Sequence, residues 1–169
     1  MADFYQNGIV TTLHNLAHRP VEELEDELRV FSKKRPMSLI LPSLFSELEG
    51  DALPNIVKHL EGADYLSEIV IGLDRASEDQ YRHALKFFGD LPQHHRVLWN
   101  EGPRLQALDA ELQELGLAPK ELGKGRNVWY SMGYKLASNR SESVDSHDCV
   151  FCTSSYPILI MPRTRHWSL

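Results

Sequence analysis

The chain has 169 residues, enough for one domain with a sizeable core, and its 42% apolar and 25% charged residues are ordinary for a globular protein. A formal charge of −6 argues against a general nucleic-acid binder and against a protein held on an anionic membrane, since both need a basic surface. No stretch approaches the roughly 20 apolar residues that cross a bilayer. Residues 1–6 (Met-Ala-Asp-Phe-Tyr-Gln) lack the basic start and apolar run of a secretory signal. The two cysteines, Cys149 and Cys152, are too few for a disulfide scaffold. The expectation is a cytoplasmic α/β protein.

Taken in chain order, Val21, Leu24, Leu28 and Phe31 recur at helical spacing after Pro20, with acids at the helix start where they suit the macrodipole. Met37 to Leu41 is a short apolar run that reads as a buried strand stopped by Pro42. Asp51 to Leu60 reads as a helix with Pro54 in its first turn. Glu68 to Leu73 is a second strand ending at Asp74, and Ser77 to Phe88 is a helix capped by Ser77. A third strand covers Arg96 to Trp99. Pro103 to Leu115 places Leu105, Leu108, Leu112 and Leu115 on one face, and Gly116 ends it. Lys124 to Ser138 is a further helix, and a fourth strand is expected near 143–149, although Ser143-Val144-Asp145-Ser146-His147 is polar for a central one. No repeat or low-complexity linker occurs. Strands alternating with helices predict a Rossmann-like parallel sheet with helices on both faces. Residues 150–169 show no helical period and read as a poorly specified tail.

In such a sheet, ligands bind beyond the carboxyl ends of the strands, where loops lead into helix N-termini. The loops that should converge there are Pro42 to Glu47, Asp74-Arg75, Asn100-Glu101-Gly102, Gly123-Lys124-Gly125 and Asp148. Glycines let backbone N–H groups approach a phosphate closely, and a lysine at a helix N-terminus neutralises it. Gly123-Lys124-Gly125 is not a Walker A loop, and on its own it equally describes a helix-start turn with a solvated lysine. Asp74 reads either as a turn cap or as an acceptor for a base or ribose, and Glu47 as a solvated acid unless its loop holds a nucleotide. Cys149-Val150-Phe151-Cys152 is formally C-x-x-C, but a zinc site needs four ligands and no second pair exists. The scattered His14, His18, His59 and His83 form no motif. No nucleophile-elbow or zincin motif supports a hydrolase.

Four stretches in this order resemble the bacterial GT-A-fold glycosyltransferases of the glucosyl-3-phosphoglycerate synthase and mannosylglycerate synthase type. They are Leu39 to Glu47, Glu68 to Asp74, Gly123 to Trp129, and His147 to Cys149. The resemblance covers roughly residues 1–149 and lies more in order and spacing than in any one motif. It implies the nucleotide-sugar-binding half of a GT-A fold, with a UDP-sugar or GDP-sugar as donor and a small acceptor such as 3-phosphoglycerate. By the same resemblance, Pro42, Leu44 and Glu47 lie in the first nucleotide-binding loop and Asp74 holds the base. Gly123, Lys124 and Gly125 form the lysine-bearing loop near base and diphosphate. Asp148 matches the first acid of the D-x-D element that holds Mg²⁺ or Mn²⁺.

The match departs from the family at its end. Val150 occupies the second D-x-D position and offers a hard cation nothing, so metal binding is expected to be weak. The acceptor-binding region lies C-terminal in the family, so a truncated chain carrying the donor-binding half is expected. A homodimer is compatible with this reading. Two other classes stay open: a sugar-nucleotide nucleotidyltransferase, which would want a glycine-rich loop after the first strand, and a non-catalytic nucleotide-binding remnant.

Overall fold

The structure, a computed structural model, describes residues 20–147. The expectations about the chain start, Asp148, the cysteine pair, Val150 and the 150–169 tail lie outside these residues. The order of elements is α1 (Val21–Lys34), β1 (Met37–Leu44), a 3₁₀ turn (Phe45–Glu49), α2 (Ala52–Leu60), β2 (Leu66–Asp74), α3 (Glu78–Phe87), a second 3₁₀ turn (Phe88–Asp90), β3 (His95–Trp99), α4 (Pro103–Glu114), α5 (Lys124–Ser138) and β4 (Ser143–Ser146). The strands form one parallel sheet in the order β3-β2-β1-β4, so the chain reverses its direction of travel across the sheet at β1. Among the described residues no helix is long and apolar enough to cross a membrane.

Strand alternation gives the sheet two unlike faces. Met37, Leu39 and Leu41 of β1, Ile69, Ile71 and Leu73 of β2, and Val97 of β3 join one apolar core with Leu28 of α1, Leu53, Ile56 and Leu60 of α2, and Ala84 of α3. The intervening positions Ser38, Ile40, Glu68, Val70 and Gly72 are outside that core, and several of them meet α5. Helices therefore cover both faces, as the βα alternation predicts. On α1 the stripe is narrower than its spacing suggested: Leu24 and Leu28 are buried, while Val21 and Phe31 are exposed. Ser77 caps α3 as expected, its hydroxyl accepting from the Gln80 N–H (3.3 Å) while the Gln80 side chain accepts from the Ser77 N–H (2.8 Å).

Pro42 does not stop β1. The strand runs on to Leu44, with Pro42 opposite Gly72 of β2. Alternate residues of a parallel strand bond to opposite neighbours. The Ile40 carbonyl accepts from His147 N–H (3.0 Å), on the β4 side. Pro42, two residues on, turns its missing N–H to that same side, where pairing with β4 has already ended at Ile40. The proline costs no ladder bond. β4 itself is four residues long and half exposed, which is how a polar Ser-Val-Asp-Ser segment serves as a strand.

α4 departs further from expectation. Its leucines fall on one face, but Leu108 and Leu115 are exposed, and the buried residue of this helix is Asp109. The Asp109 carboxylate accepts hydrogen bonds from Tyr130 and from Gln113, and it stands 3.4 Å from the Arg126 guanidinium of α5. That guanidinium lies 5.5 Å from the centre of the Tyr130 ring. A buried acid is tolerable when paired and hydrogen-bonded, so polar contacts rather than leucines tie α4 to α5.

Burial, and next the bond to Asp109, push the Tyr130 phenol above its usual range. A phenol raised on folding contributes stability that is complete below its unfolded value, about pH 10, and is lost as pH climbs through the folded value. Unfolding free energy measured from pH 8 upward should therefore decline more steeply in the wild type than in Tyr130→Phe.

Candidate functional site

The carboxyl ends of β1 and β2 meet the first turn of α5 around a cavity of about 180 Å³. Its lining is Pro42, Ser43, Leu44 and Glu47 from the β1 end, Asp74 and Arg75 from the β2 end, and Gly123, Lys124 and Asn127 from the α5 start. Six of the seven residues expected to bind a nucleotide sugar are thus brought together: Pro42, Leu44, Glu47, Asp74, Gly123 and Lys124. Gly125 sits one residue further into α5 and outside the lining.

Each side chain is held by its neighbours. Glu47 is tied to its own loop, its carboxylate accepting from the Leu44 N–H at 2.9 Å, so it fixes the turn after β1 rather than standing free in solvent. Asp74 is buried, 7% exposed, and accepts from the Asn100 amide at 3.1 Å. Asn100 is itself buried and its amide oxygen has no partner among the described residues. The following turn is unusual because Arg75 occupies the left-handed region with φ 55°. A non-glycine residue there costs of order 1–2 kcal/mol, and such strain persists where the surroundings over-determine the backbone. Here both peptide groups of Ala76 are engaged. Its carbonyl accepts from the Trp99 indole (2.7 Å) and its N–H donates to Glu101 (3.2 Å). Asn100 and Glu101, expected on the rim, thus support the β2 turn.

The start of α5 supplies the other wall. Gly123 precedes the helix at φ 131° and ψ −164°, a conformation open essentially to glycine. No side chain caps the helix, so its first N–H groups and Lys124 present positive charge at the cavity. Asn127 is buried behind them and donates to the Gly72 carbonyl of β2 at 2.8 Å. Asn127 was not foreseen from sequence, because a buried asparagine leaves no apolar period to read. Among the described residues no three histidine, cysteine, aspartate or glutamate side chains lie together as metal ligands. A larger cavity of about 610 Å³ lies along β3 and α4, lined by Tyr81, Trp99, Leu105 and Tyr134 among others; Gly102 of the loop after β3 borders it, and none of the seven residues expected to bind a nucleotide sugar does.

No protein-family model matches the chain. It is 46% identical over 149 residues to the glucosyl-3-phosphoglycerate synthase of Persephonella marina, which covers 88% of this chain and 37% of that protein. It is 34% identical over 154 residues to the enzyme of the same name from Methanococcoides burtonii, covering 90% of this chain and 37% of that one. The chain therefore spans a little over a third of the length of the curated relatives it matches. A solved structure of the Mycobacterium tuberculosis glucosyl-3-phosphoglycerate synthase, in complex with Mn²⁺, UDP and glucosyl-3-phosphoglycerate, superposes with a TM-score of 0.47 at 20% identity, over 78% of this chain and 39% of that one. The glycosyltransferase resemblance read from the four sequence stretches is borne out by the two curated relatives.

The two glycines beside Lys124 should behave differently. Gly123→Ala forces a side chain into a glycine-only conformation and is expected to cost about 1–3 kcal/mol. Gly125→Ala adds a methyl in open space within a helix and should be neutral, or stabilising by about 0.5–1 kcal/mol. Urea unfolding of the two variants checks the contrast.

Proposed function

We propose that this chain, a relative of the glucosyl-3-phosphoglycerate synthases over 88% of its length, binds the nucleotide-sugar donor of a glucosyl transfer whose acceptor is 3-phosphoglycerate. The observation that carries the proposal is the meeting of Pro42, Leu44, Glu47, Asp74 and Lys124 at one cavity beyond the carboxyl ends of parallel strands. At about 180 Å³ the cavity is below the roughly 300–1,000 Å³ that encloses a whole ligand of drug size. It suits the nucleoside end of a donor whose sugar projects outward.

In this reading the base packs on the Pro42–Leu44 edge, and the Asp74 carboxylate accepts its N–H. UDP is the expected carrier, with GDP as the comparison. The diphosphate faces Lys124 and the uncapped first turn of α5. As the bond between glucose and the diphosphate breaks, negative charge grows on the departing phosphate oxygen. A lysine and a helix N-terminus fixed beforehand in that place stabilise the charge as it forms. A divalent ion, Mg²⁺ or Mn²⁺, would rest on Asp148, which matches the first acid of the family's D-x-D element, and on the donor's own phosphate oxygens. When bound it would neutralise part of the diphosphate charge. The reading places the reaction in the cytoplasm and allows a homodimer.

Calorimetric titration of the 169-residue chain with UDP tests the assignment. Charge-assisted hydrogen bonds are typically worth about 1.5–3 kcal/mol, so Asp74→Ala and Lys124→Ala should each weaken binding roughly tenfold or more. Unchanged affinity in both variants would refute it. Val150→Asp, which restores the second acid of the D-x-D element, is expected to strengthen UDP binding in the presence of Mn²⁺ and to leave binding in its absence unchanged.

A further inference from the structure

We propose that Asn127 is a positioning residue whose carboxamide locks the first turn of α5, and Lys124 with it, onto β2 at Gly72. Asn127 is 2% exposed, and its side chain has protein partners at both ends. The amide nitrogen donates to the Gly72 carbonyl at 2.8 Å, and the amide oxygen accepts from Ser131 one helical turn on, at 3.4 Å. Its backbone N–H closes the first helical bond onto the Gly123 carbonyl at 3.1 Å. One residue thus ties β2, the body of α5 and the Gly123 turn together.

The position of this bond gives it its consequence. Gly72 lies two residues before Asp74 on the same strand, and Asn127 lies three residues after Lys124 on the same helix. The bond between them therefore ties together the two segments that bring the Asp74 carboxylate and Lys124 to one cavity. Gly72 is the necessary partner. A Cβ there would overlap the Asn127 amide and stand 2.6 Å from the Ser131 hydroxyl, so α5 reaches the strand only because no side chain intervenes. Lys124 is exposed and carries its charge on a long four-carbon stem, so the helix start that bears it decides where that charge can meet a phosphate.

The inference uses the donor reading above for its ligand arm only, and a ligand-free arm judges it separately. Without ligand, backbone amides of residues 127–131 in the Asn127→Ala chain should exchange hydrogen on the order of tenfold faster than in the wild type, with β1 and β2 amides unchanged. Unaltered protection at the start of α5 overturns the clamp. With ligand, Asn127→Ala should weaken UDP binding about tenfold and uridine binding less than about twofold, because only the diphosphate depends on Lys124. In a Lys124→Ala background the UDP effect of Asn127→Ala should shrink, since only the helix N-terminus is then left for it to position. Equal losses for UDP and uridine, or additive losses with Lys124→Ala, overturn the positioning role. Asn127→Asp keeps the shape and loses the donor, and it repeats both arms if the alanine variant does not fold. A wild type that binds neither UDP nor uridine removes the donor reading and leaves the exchange arm to decide the clamp.

Discussion

The fit of α5 against the sheet is the constraint on which the rest of this structure depends, and it is made of polar contacts. Asn127, Ser131, Lys135 and Ser138 recur at helical spacing along the buried side of the helix. At one end Asn127 bonds to Gly72; at the other, Ser138 donates to the fully buried Glu68 at 3.0 Å. Lys135, 5% exposed, donates to the Ser141 carbonyl, and Ser141 meets Ser38 of β1. Polar seams of this kind contribute little net free energy per bond, but a buried group left without its partner costs about 1–3 kcal/mol. A slide of α5 along the sheet would orphan several groups together, and the seam thereby fixes the helix in one register. The place of Lys124 and of the helix N-terminus follows from that register.

The opposite face works by another principle. There Leu39, Leu41, Ile69, Ile71 and Leu73 are fully buried against α2 and its neighbours. Burial of a residue of this size is worth about 1.5–3 kcal/mol relative to exposure. Apolar contact supplies stability but tolerates adjustment; the polar face supplies position. A binding site at the strand ends needs both, with an apolar layer to hold the strands and a directional layer to aim the groups at the cavity. The strained Arg75 turn fits the same pattern, because Trp99 and Glu101 grip Ala76 from the β3 end and hold Asp74 where the chain would otherwise relax.

The apolar layer was the legible part of the sequence. Runs such as Ile69-Val70-Ile71 and the Ser77 cap announced themselves, and the order of strands and helices followed from them. The meeting of Pro42, Leu44, Glu47, Asp74 and Lys124 at one rim was legible as well, since they stand in loops after assigned strands and at an assigned helix start, while a binding role for them came from the family resemblance. Errors arose where polar groups do the packing. The α4 leucines were read as sharing one face, which says nothing of Asp109, the residue this helix buries through Tyr130, Gln113 and Arg126. Pro42 was read as a strand stop, since its ladder geometry depends on where β4 ends, which lies a hundred residues away in the chain. Asn127 and Gly72 lie in segments that were both assigned, but a contact between residues so far apart in the chain leaves no period or motif to read.

The donor is assigned to the small cavity at the ends of β1 and β2 and not to the larger one along β3 and α4. An amide chemical-shift titration with UDP compares them directly in one experiment. The account expects perturbations at Ser43 and Leu44, at Asp74 and Arg75, and through Gly123 to Asn127, with the β3–α4 cavity undisturbed. Shifts confined to Trp99, Leu105 and Tyr134, or no shifts at saturating UDP, would contradict it.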